Sequence, residues 1–299
     1  MTYKNDRPVA ILLSTYNGEQ YLSEQLDSLF SQSFKNFTLY VRDDGSSDRT
    51  REIISTYAKK YDNLVFLSSD GNLGPAGSFG CLMDSVDSEY YMFCDQDDVW
   101  RNDKTEVSFE TIRQVEKSNP GKPVIVYTDL NFVDENLNPV SGHILKEMEI
   151  YAGIGHSIKQ FCHFNDITGC TMMFNRNAVA CYQDFSRLLK DSGIQHDYFL
   201  GLCVSCKAGV IVPIFERTIY YRRHGGTVTD PLHHSKSIFL KPHHTFSYMR
   251  EFYKKYGFMY NFNRGSFLSF TWNKIKVTVL KYRNIYHQNR HNGVLVPGA

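Results

Sequence analysis

The sequence predicts an α/β protein with a mainly parallel central sheet and helices on both of its faces. Three observations carry this. Short apolar runs alternate with segments whose apolar residues recur at helical spacing. Polar clusters follow the first, second and fourth of those runs. The 299 residues, 42% of them hydrophobic, suffice for one large domain or for one domain with an appendage.

The elements follow in order. "VAILLS" (9–14) is short, apolar and bounded by polar residues, so it reads as a buried strand. Leu22, Leu26, Leu29 and Phe30 recur at helical spacing. "FTLYVR" (37–42) is the next strand. "DDGSSDRT" supplies turn residues and a helix cap, and a helix runs through Ile53 to Tyr57. "LVFLS" (64–68) is a third strand, and Phe79, Leu82, Met83 and Val86 mark another helix. "YYMFC" (90–94) is a fourth strand that ends at an acidic cluster. A β-α-β-α order implies a parallel sheet, and ligands of such sheets sit outside the carboxyl ends of the strands. "STYNGE", "DDGSSD" and "DQDDVW" therefore share one edge.

After Pro123 the pattern is mixed. "VIVYTDLNFVDENLN" reads as a strand and a turn, and "TGCTMMFNR" as another strand. "HDYFLGLCVSCKAG" reads as a helix closed by Gly209, and "VIVPIFERTIYYRRHGG" as a closing strand or hairpin. The expected boundaries are 1–230 for the α/β domain and 231–299 for a basic, aromatic, mainly helical extension.

Composition narrows the function. A formal net charge of +1 offers no strong field for nucleic acid. The 21 Phe and 20 Tyr suit either a large core or a surface for flat rings. Seven scattered cysteines, an odd number inside apolar segments, point to a reducing compartment and free thiols. Cys203 and Cys206 form a lone CxxC without a second pair, which reads as two small residues on one helix face. The N-terminal stretch carries no small-residue cleavage site, and no run reaches the roughly 18 apolar residues of a membrane span. A cytoplasmic protein is expected.

Beyond residue 231 many Lys and Arg face a single acid, Glu251. Leu268, Trp272, Ile275, Val279 and Tyr282 recur at helical spacing, with Lys274, Lys281 and Arg283 elsewhere on the wheel. Such a helix suits an anionic membrane surface, or packs its stripe on the α/β domain. The final "HNGVLVPGA" lacks a pattern.

The acidic cluster poses the chemical question. Asp95, Asp97 and Asp98 repel one another unless water or a cation rewards keeping them together. If the strand continues through them, Asp95 and Asp97 share a face with Cα atoms roughly 7 Å apart, at about 3.3 Å per residue. One carboxylate then binds a metal and the other a hydroxyl or a metal-bound water. Mg²⁺ and Mn²⁺ choose oxygen ligands and share them with phosphates. Asp43 and Asp44 either begin a turn, with Gly45 at positive φ, or accept bonds from a base or a ribose. No GxGxxG or GxxxxGK[ST] occurs, so a bound diphosphate needs a metal rather than a glycine-rich loop.

"ILLSTYNGEQYLSEQLDSL", "LYVRDDGSSDRT", "GNLGPAG" and "FCDQDDVW", in this order, resemble a family 2 glycosyltransferase of the GT-A fold over residues 8–230. The DQDDVW form is similar to that of bacterial rhamnosyltransferases acting on surface polysaccharides. The resemblance implies that Thr15, Tyr16, Asn17 and Glu19 line a nucleotide pocket. It implies that Asp43, with Asp44 beside it, bonds the base, and that Asn72 and Gly74 lie near base and ribose. Asp95 matches the first acid of the family's DxD, near the ribose or sugar, and Asp97 the metal ligand. Asp98 assists them, and Trp100 is the aromatic that follows, on the acceptor side. Asp197, in "QHDYFLG", matches the catalytic base, with His196 where the family often has an acid. The residues alone leave Asp197 as a helix N-cap. Thr168 and Gly169 match the strand tip beside the acceptor. His224 matches a late histidine that completes the metal site; beside Arg222 and Arg223 it instead suits a diphosphate.

The function so implied is inverting, Mn²⁺- or Mg²⁺-dependent sugar transfer, of L-rhamnose from dTDP-rhamnose, to a surface polysaccharide or lipid-linked glycan. A UDP-sugar hexosyltransferase is the alternative donor assignment. A sugar nucleotidyltransferase and a non-catalytic nucleotide-sugar-binding protein are the alternatives of other classes. Expected partners are the nucleotide-sugar, the glycan acceptor and an anionic membrane surface met peripherally through the extension, and no nucleic acid.

Overall fold

The computed structural model describes residues 2–67, 71–140, 156–157, 161, 163, 165, 167–189, 194–224 and 269–276. The chain divides into two compact units, residues 1–142 with 167–227, and residues 143–166 with 228–299.

In the first unit, β1 (Tyr3–Lys4) is followed by β2 (Val9–Thr15), α1 (Leu22–Phe30), β3 (Phe37–Asp43), α2 (Thr50–Lys60), β4 (Leu64–Leu67) and α3 (Gly74–Ser85). Then come β5 (Val86–Asp87), β6 (Tyr90–Cys94), β7 (Val99–Trp100), α4 (Lys104–Ser118) and β8 (Val124–Val133). A 3₁₀ turn (Gly169–Thr171), β9 (Met172–Asn175), α5 (Arg176–Leu189), α6 (His196–Cys206) and β10 (Val210–Arg222) complete it. Val86, expected at the end of α3, instead begins β5, which pairs with β1.

Among the described residues an eight-stranded sheet runs in the order β4-β3-β2-β6-β9-β8-β10-β7. Its first half is parallel throughout, as the alternation predicts. Beyond β6 it is mixed: β9 is antiparallel to both β6 and β8, β10 is parallel to β8, and β7 is antiparallel to β10. The central strand β2 has Val9 through Leu13 fully buried, since neighbours pair on both edges and helices cover both faces. Each Val, Ile or Leu among them contributes about 1.5–3 kcal/mol relative to exposure.

Two helices escaped the periodicity. α4 buries Lys104, Thr105, Ser108 and Ile112, a largely polar face without an apolar stripe. α5 follows β9 without a loop; the Asn175 carboxamide oxygen accepts from Ala178 N at 3.0 Å and so caps it. α6 closes differently from expectation. Ala208, not Gly209, takes the left-handed conformation, at φ 52°. Gly209 is needed for close approach, because a Cβ there would lie 2.5 Å from Val204 Cγ1 and 2.7 Å from Pro123 O. Cys203 and Cys206 both lie on α6.

In the second unit residues 269–276 are helical. Phe270 is fully buried against the His163 ring, and Lys274 Nζ donates to His163 O at 2.9 Å. Trp272 and Ile275 are 58% and 47% exposed. Leu268, Val279, Tyr282, Lys281, Arg283 and the final nine residues lie outside the described residues. Among the described residues no helix is long and apolar enough to cross a membrane.

Candidate active site

The parallel half of the sheet sets the site. β3, β2 and β6 are adjacent, and their carboxyl ends deliver Asp43, Thr15 and Cys94 to one edge. The loops that follow are stitched to one another by side chains.

Thr15 and Asp43 are register partners, and Thr15 Oγ1 donates to Asp43 Oδ1 at 3.0 Å. Asp43 is fully buried. It also accepts from Ser46 N at 3.0 Å, from Ser46 Oγ, and from Arg51 Nε at 2.9 Å, the turn being made by Gly45 at φ 88°. Asp44, also buried, pairs with Arg42 and accepts from the amides of Leu73 and Gly74, each at 2.8 Å. Two buried charges survive because each meets the other and fixed dipoles complete the shell. Asp44 thereby shapes the loop of Asn72 and Gly74, whose amide also meets Asn72 Oδ1 at 3.0 Å, with Gly74 at φ 69°.

The loop after β2 is tied at both ends. Asn17, at φ 47°, donates its N–H to Ser46 Oγ and accepts from Ser47 N. Glu19 N donates to Asp48 Oδ2, and Glu19 Oε2 accepts from Arg49 N. Both are thus stitches between loops. Tyr16 is 50% exposed, with its backbone clasped by Gln96 through Oε1 at 2.8 Å and Nε2 at 3.0 Å. Gly18 leaves room for that carboxamide: a Cβ there would lie 2.3 Å from Gln96 Oε1. Gln96 thus locks the acidic loop to the first loop, a role the sequence reading missed.

The acidic cluster is not a strand. β6 ends at Cys94, so the face-by-face alternation expected for Asp95 and Asp97 fails, and the chain bends at Gln96–Asp97. Instead Asp95 and Asp98 converge with Cys170, their ligand atoms all within 4.8 Å. Asp97 turns to His224, with Oδ2 and Nε2 2.8 Å apart. Burial, then the charges of Asp97 and Asp197, raise the Asp95 pKa; burial and the neighbouring Asp97 and Asp95 raise that of Asp98. Asp98 Oδ1 accepts from Arg222 N at 3.2 Å, and its buried Oδ2 has no hydrogen-bond partner. Nearby, buried Lys104 sits over the Trp100 ring at 4.6 Å, and burial lowers its pKa to about 8.

Crowded carboxylates held above their usual pKa are what a divalent cation relieves. Asp97 and His224 are partly exposed, and oxygen with imidazole is a donor set that suits Mn²⁺. The residues present therefore fit such an ion.

Asp197 is not an N-cap. Gln195 caps α6, and Asp197 lies in its first turn, where Oδ2 accepts from Gly169 N at 2.9 Å. Thr168 O holds the 3₁₀ turn by accepting from Thr171 N, so Thr168, Gly169 and Asp197 meet at the end of β6 beside Asp95. Gly169 leaves little room: a Cβ would lie 3.1 Å from His196 Nε2 and 3.4 Å from Asp197 Cβ. His196 is buried, stacked on Phe79 at 4.1 Å and edge-on to Phe93 at 4.7 Å, and burial lowers its pKa.

One expectation needs correction. Trp100 is only 2% exposed and packs under Lys104 with its backbone N–H donating to Ser28 Oγ, so it is part of the core rather than an open acceptor surface. Arg222 is buried as well, with Nε donating to the backbone carbonyl of Asp97. Neither burial is written in local sequence, because both depend on strands more than 100 residues apart.

Residues 10–183 match the family model described as glycosyl transferase family 2. The chain is 28% identical over 193 residues to an uncharacterized glycosyltransferase of Rickettsia typhi, covering 64% of this chain and 57% of that protein. It is 27% identical over 198 residues to a dTDP-rhamnosyl transferase of Shigella flexneri, covering 63% of each. The fold is similar to the crystal structure of S. aureus TarS 1-349, with a TM-score of 0.54 and 17% identity over 83% of this chain and 64% of that one. The chain thus spans somewhat over half the length of these relatives.

Proposed function

The chain belongs to glycosyl transferase family 2 and has the GT-A fold, and on that premise we propose that it transfers a sugar from a nucleoside diphosphate to an acceptor hydroxyl with inversion. The observation that carries the proposal is the meeting of Asp97, His224, Asp95 and Asp197 at one sheet edge. Asp97 and His224 would hold Mn²⁺ or Mg²⁺, whose chemistry is to neutralise the charge of the departing diphosphate.

The remaining work falls to the chain's own residues. Thr15, Tyr16, Asn17, Glu19, Asp43, Asp44, Asn72 and Gly74 frame the nucleotide, with buried Asp43, paired to the half-exposed Arg51, at the base. Asp95 accepts from a ribose or sugar hydroxyl. Asp197, fixed by Gly169 N, takes the acceptor's proton as the acceptor oxygen bonds the anomeric carbon and the carbon–phosphate oxygen bond breaks. Such base catalysis contributes about 10²- to 10⁴-fold in rate. Thr168 and Gly169 flank the acceptor.

For the donor we take dTDP-L-rhamnose, because the DQDDVW resemblance and the Shigella relative's name agree. The acceptor is a surface polysaccharide or lipid-linked glycan, met at the inner membrane face. A panel of dTDP-rhamnose and UDP-hexoses with Mn²⁺, Mg²⁺ or EDTA tests this. Release of dTDP that needs metal and acceptor is expected. UDP release alone would move the donor to a UDP-hexose, pyrophosphate would indicate nucleotidyl transfer, and donor binding without release would indicate a binding protein.

A further inference from the structure

Arg222 is 2% exposed, yet it carries a charge that a guanidinium cannot shed. Every face of it is used. Nε donates to Asp97 O at 2.9 Å, Nη1 to Glu135 O, and Nη2 to Glu24 Oε2. Its plane lies over the Tyr21 ring at 4.4 Å, and that ring meets His224 at 5.0 Å between centroids. Its backbone N–H reaches Asp98 Oδ1 at 3.2 Å. One side chain therefore joins α1, the acidic loop and the turn after β8, and it touches both partners of the Asp97–His224 pair, one through backbone and one through Tyr21.

Of the three guanidinium acceptors two are carbonyls, and only Glu24 is charged. Glu24 lies in the first turn of α1 with its side chain 55% exposed, and is not among the residues that the sequence reading assigned to the site. We infer that Glu24 and Arg222 are positioning residues that fix the Asp97 carboxylate and the His224 imidazole in metal-binding geometry. This rests on the metal role proposed above for Asp97 and His224. The physical reason is that the planar fork of arginine defines a direction for each acceptor, so anchoring one prong to Glu24 fixes the prong on Asp97. Without the carboxylate, a buried cation faces carbonyls alone, and its fork reorients toward water.

The experiment is a Mn²⁺ titration followed by electron paramagnetic resonance, with the metal alone as probe, on the full chain and four variants. Outer partners of metal ligands typically alter metal affinity by about 10- to 100-fold. Glu24→Ala is expected to weaken Mn²⁺ binding by that range while near-ultraviolet circular dichroism and Tm stay close to those of the parent. Glu24→Gln keeps an acceptor oxygen and is expected to restore most of the affinity. Arg222→Lys keeps the charge but loses the fork, and is expected to behave like Glu24→Ala. Glu24→Ala with parental Mn²⁺ affinity overturns the inference, as does a lowered Tm with unchanged affinity, which is a structural role only. Asp97→Asn is the separate control. If it binds Mn²⁺ like the parent, the metal assignment itself fails, and this inference with it.

Discussion

Asp197→Asn separates the chemical role of this residue from a merely structural one. Asparagine keeps the shape, and its carboxamide oxygen can still accept from Gly169 N, which Asp197 Oδ2 now does at 2.9 Å. What folding loses is a negative charge in the first turn of α6, worth about 0.3–1 kcal/mol, and the hydrogen bond from Tyr198 N to Oδ1, worth about 0.5–1.5 kcal/mol. At roughly 2–4 °C per kcal/mol for a domain of this size, the two together shift Tm by roughly 2–10 °C. What the reaction loses is the proton acceptor, about 10²- to 10⁴-fold, or roughly 3–5 kcal/mol of barrier. The gap between the two magnitudes makes the test sharp. Turnover is read as nucleoside diphosphate release at saturating donor, and donor affinity by calorimetry. We expect kcat to collapse with donor Kd unchanged. Turnover within a factor of about three of the parent, less than 1 kcal/mol of barrier, would refute the assignment.

Gly169→Ala places a methyl 3.1 Å from His196 Nε2 and 3.4 Å from Asp197 Cβ, so His196 must give by a few tenths of an ångström and carries the adjacent Asp197 with it. Since about 1 Å of misplacement costs on the order of 10²-fold, kcat should fall roughly tenfold with donor Kd intact; unchanged kcat would show that the close approach is immaterial. His196→Phe keeps the stack on Phe79 and Phe93 and removes two buried ring nitrogens without partners, so urea unfolding should show a gain of about 1–3 kcal/mol. The sign with pH is fixed. The native imidazole pKa is lowered by burial, so below 6.5 the unfolded chain binds more protons and the parent loses stability. The variant's margin should therefore widen between pH 7.5 and 5.5, and a constant margin would contradict a neutral buried His196. In the second unit, Trp272→Ser should reduce sedimentation with anionic liposomes, because its ring is largely exposed on a helix with Lys274 and Lys276; equal sedimentation would argue against a membrane role for that face.

The first half of the fold was legible because its signals are local. β2, β3, β4 and β6 are continuous apolar runs, and α1 carries Leu22, Leu26 and Leu29 on one face. The edge shared by "STYNGE", "DDGSSD" and "DQDDVW" follows from parallel order alone. α4 was hidden because the face it buries is polar, and α5 because Asn175 ends a strand and caps a helix at once.

By itself the sequence determined which residues are acidic, which runs are strands and which strand ends carry polar clusters, because hydrophobic period and chain order are properties of neighbours along the chain. Tertiary structure alone decided that β9 enters antiparallel, that Asp98 meets Cys170 while Asp97 meets His224, that Trp100 is core, and that Glu24 reaches Arg222 across 198 positions. Those facts depend on packing and on where buried charge finds a partner, and no local pattern encodes distances between residues so far apart in the chain.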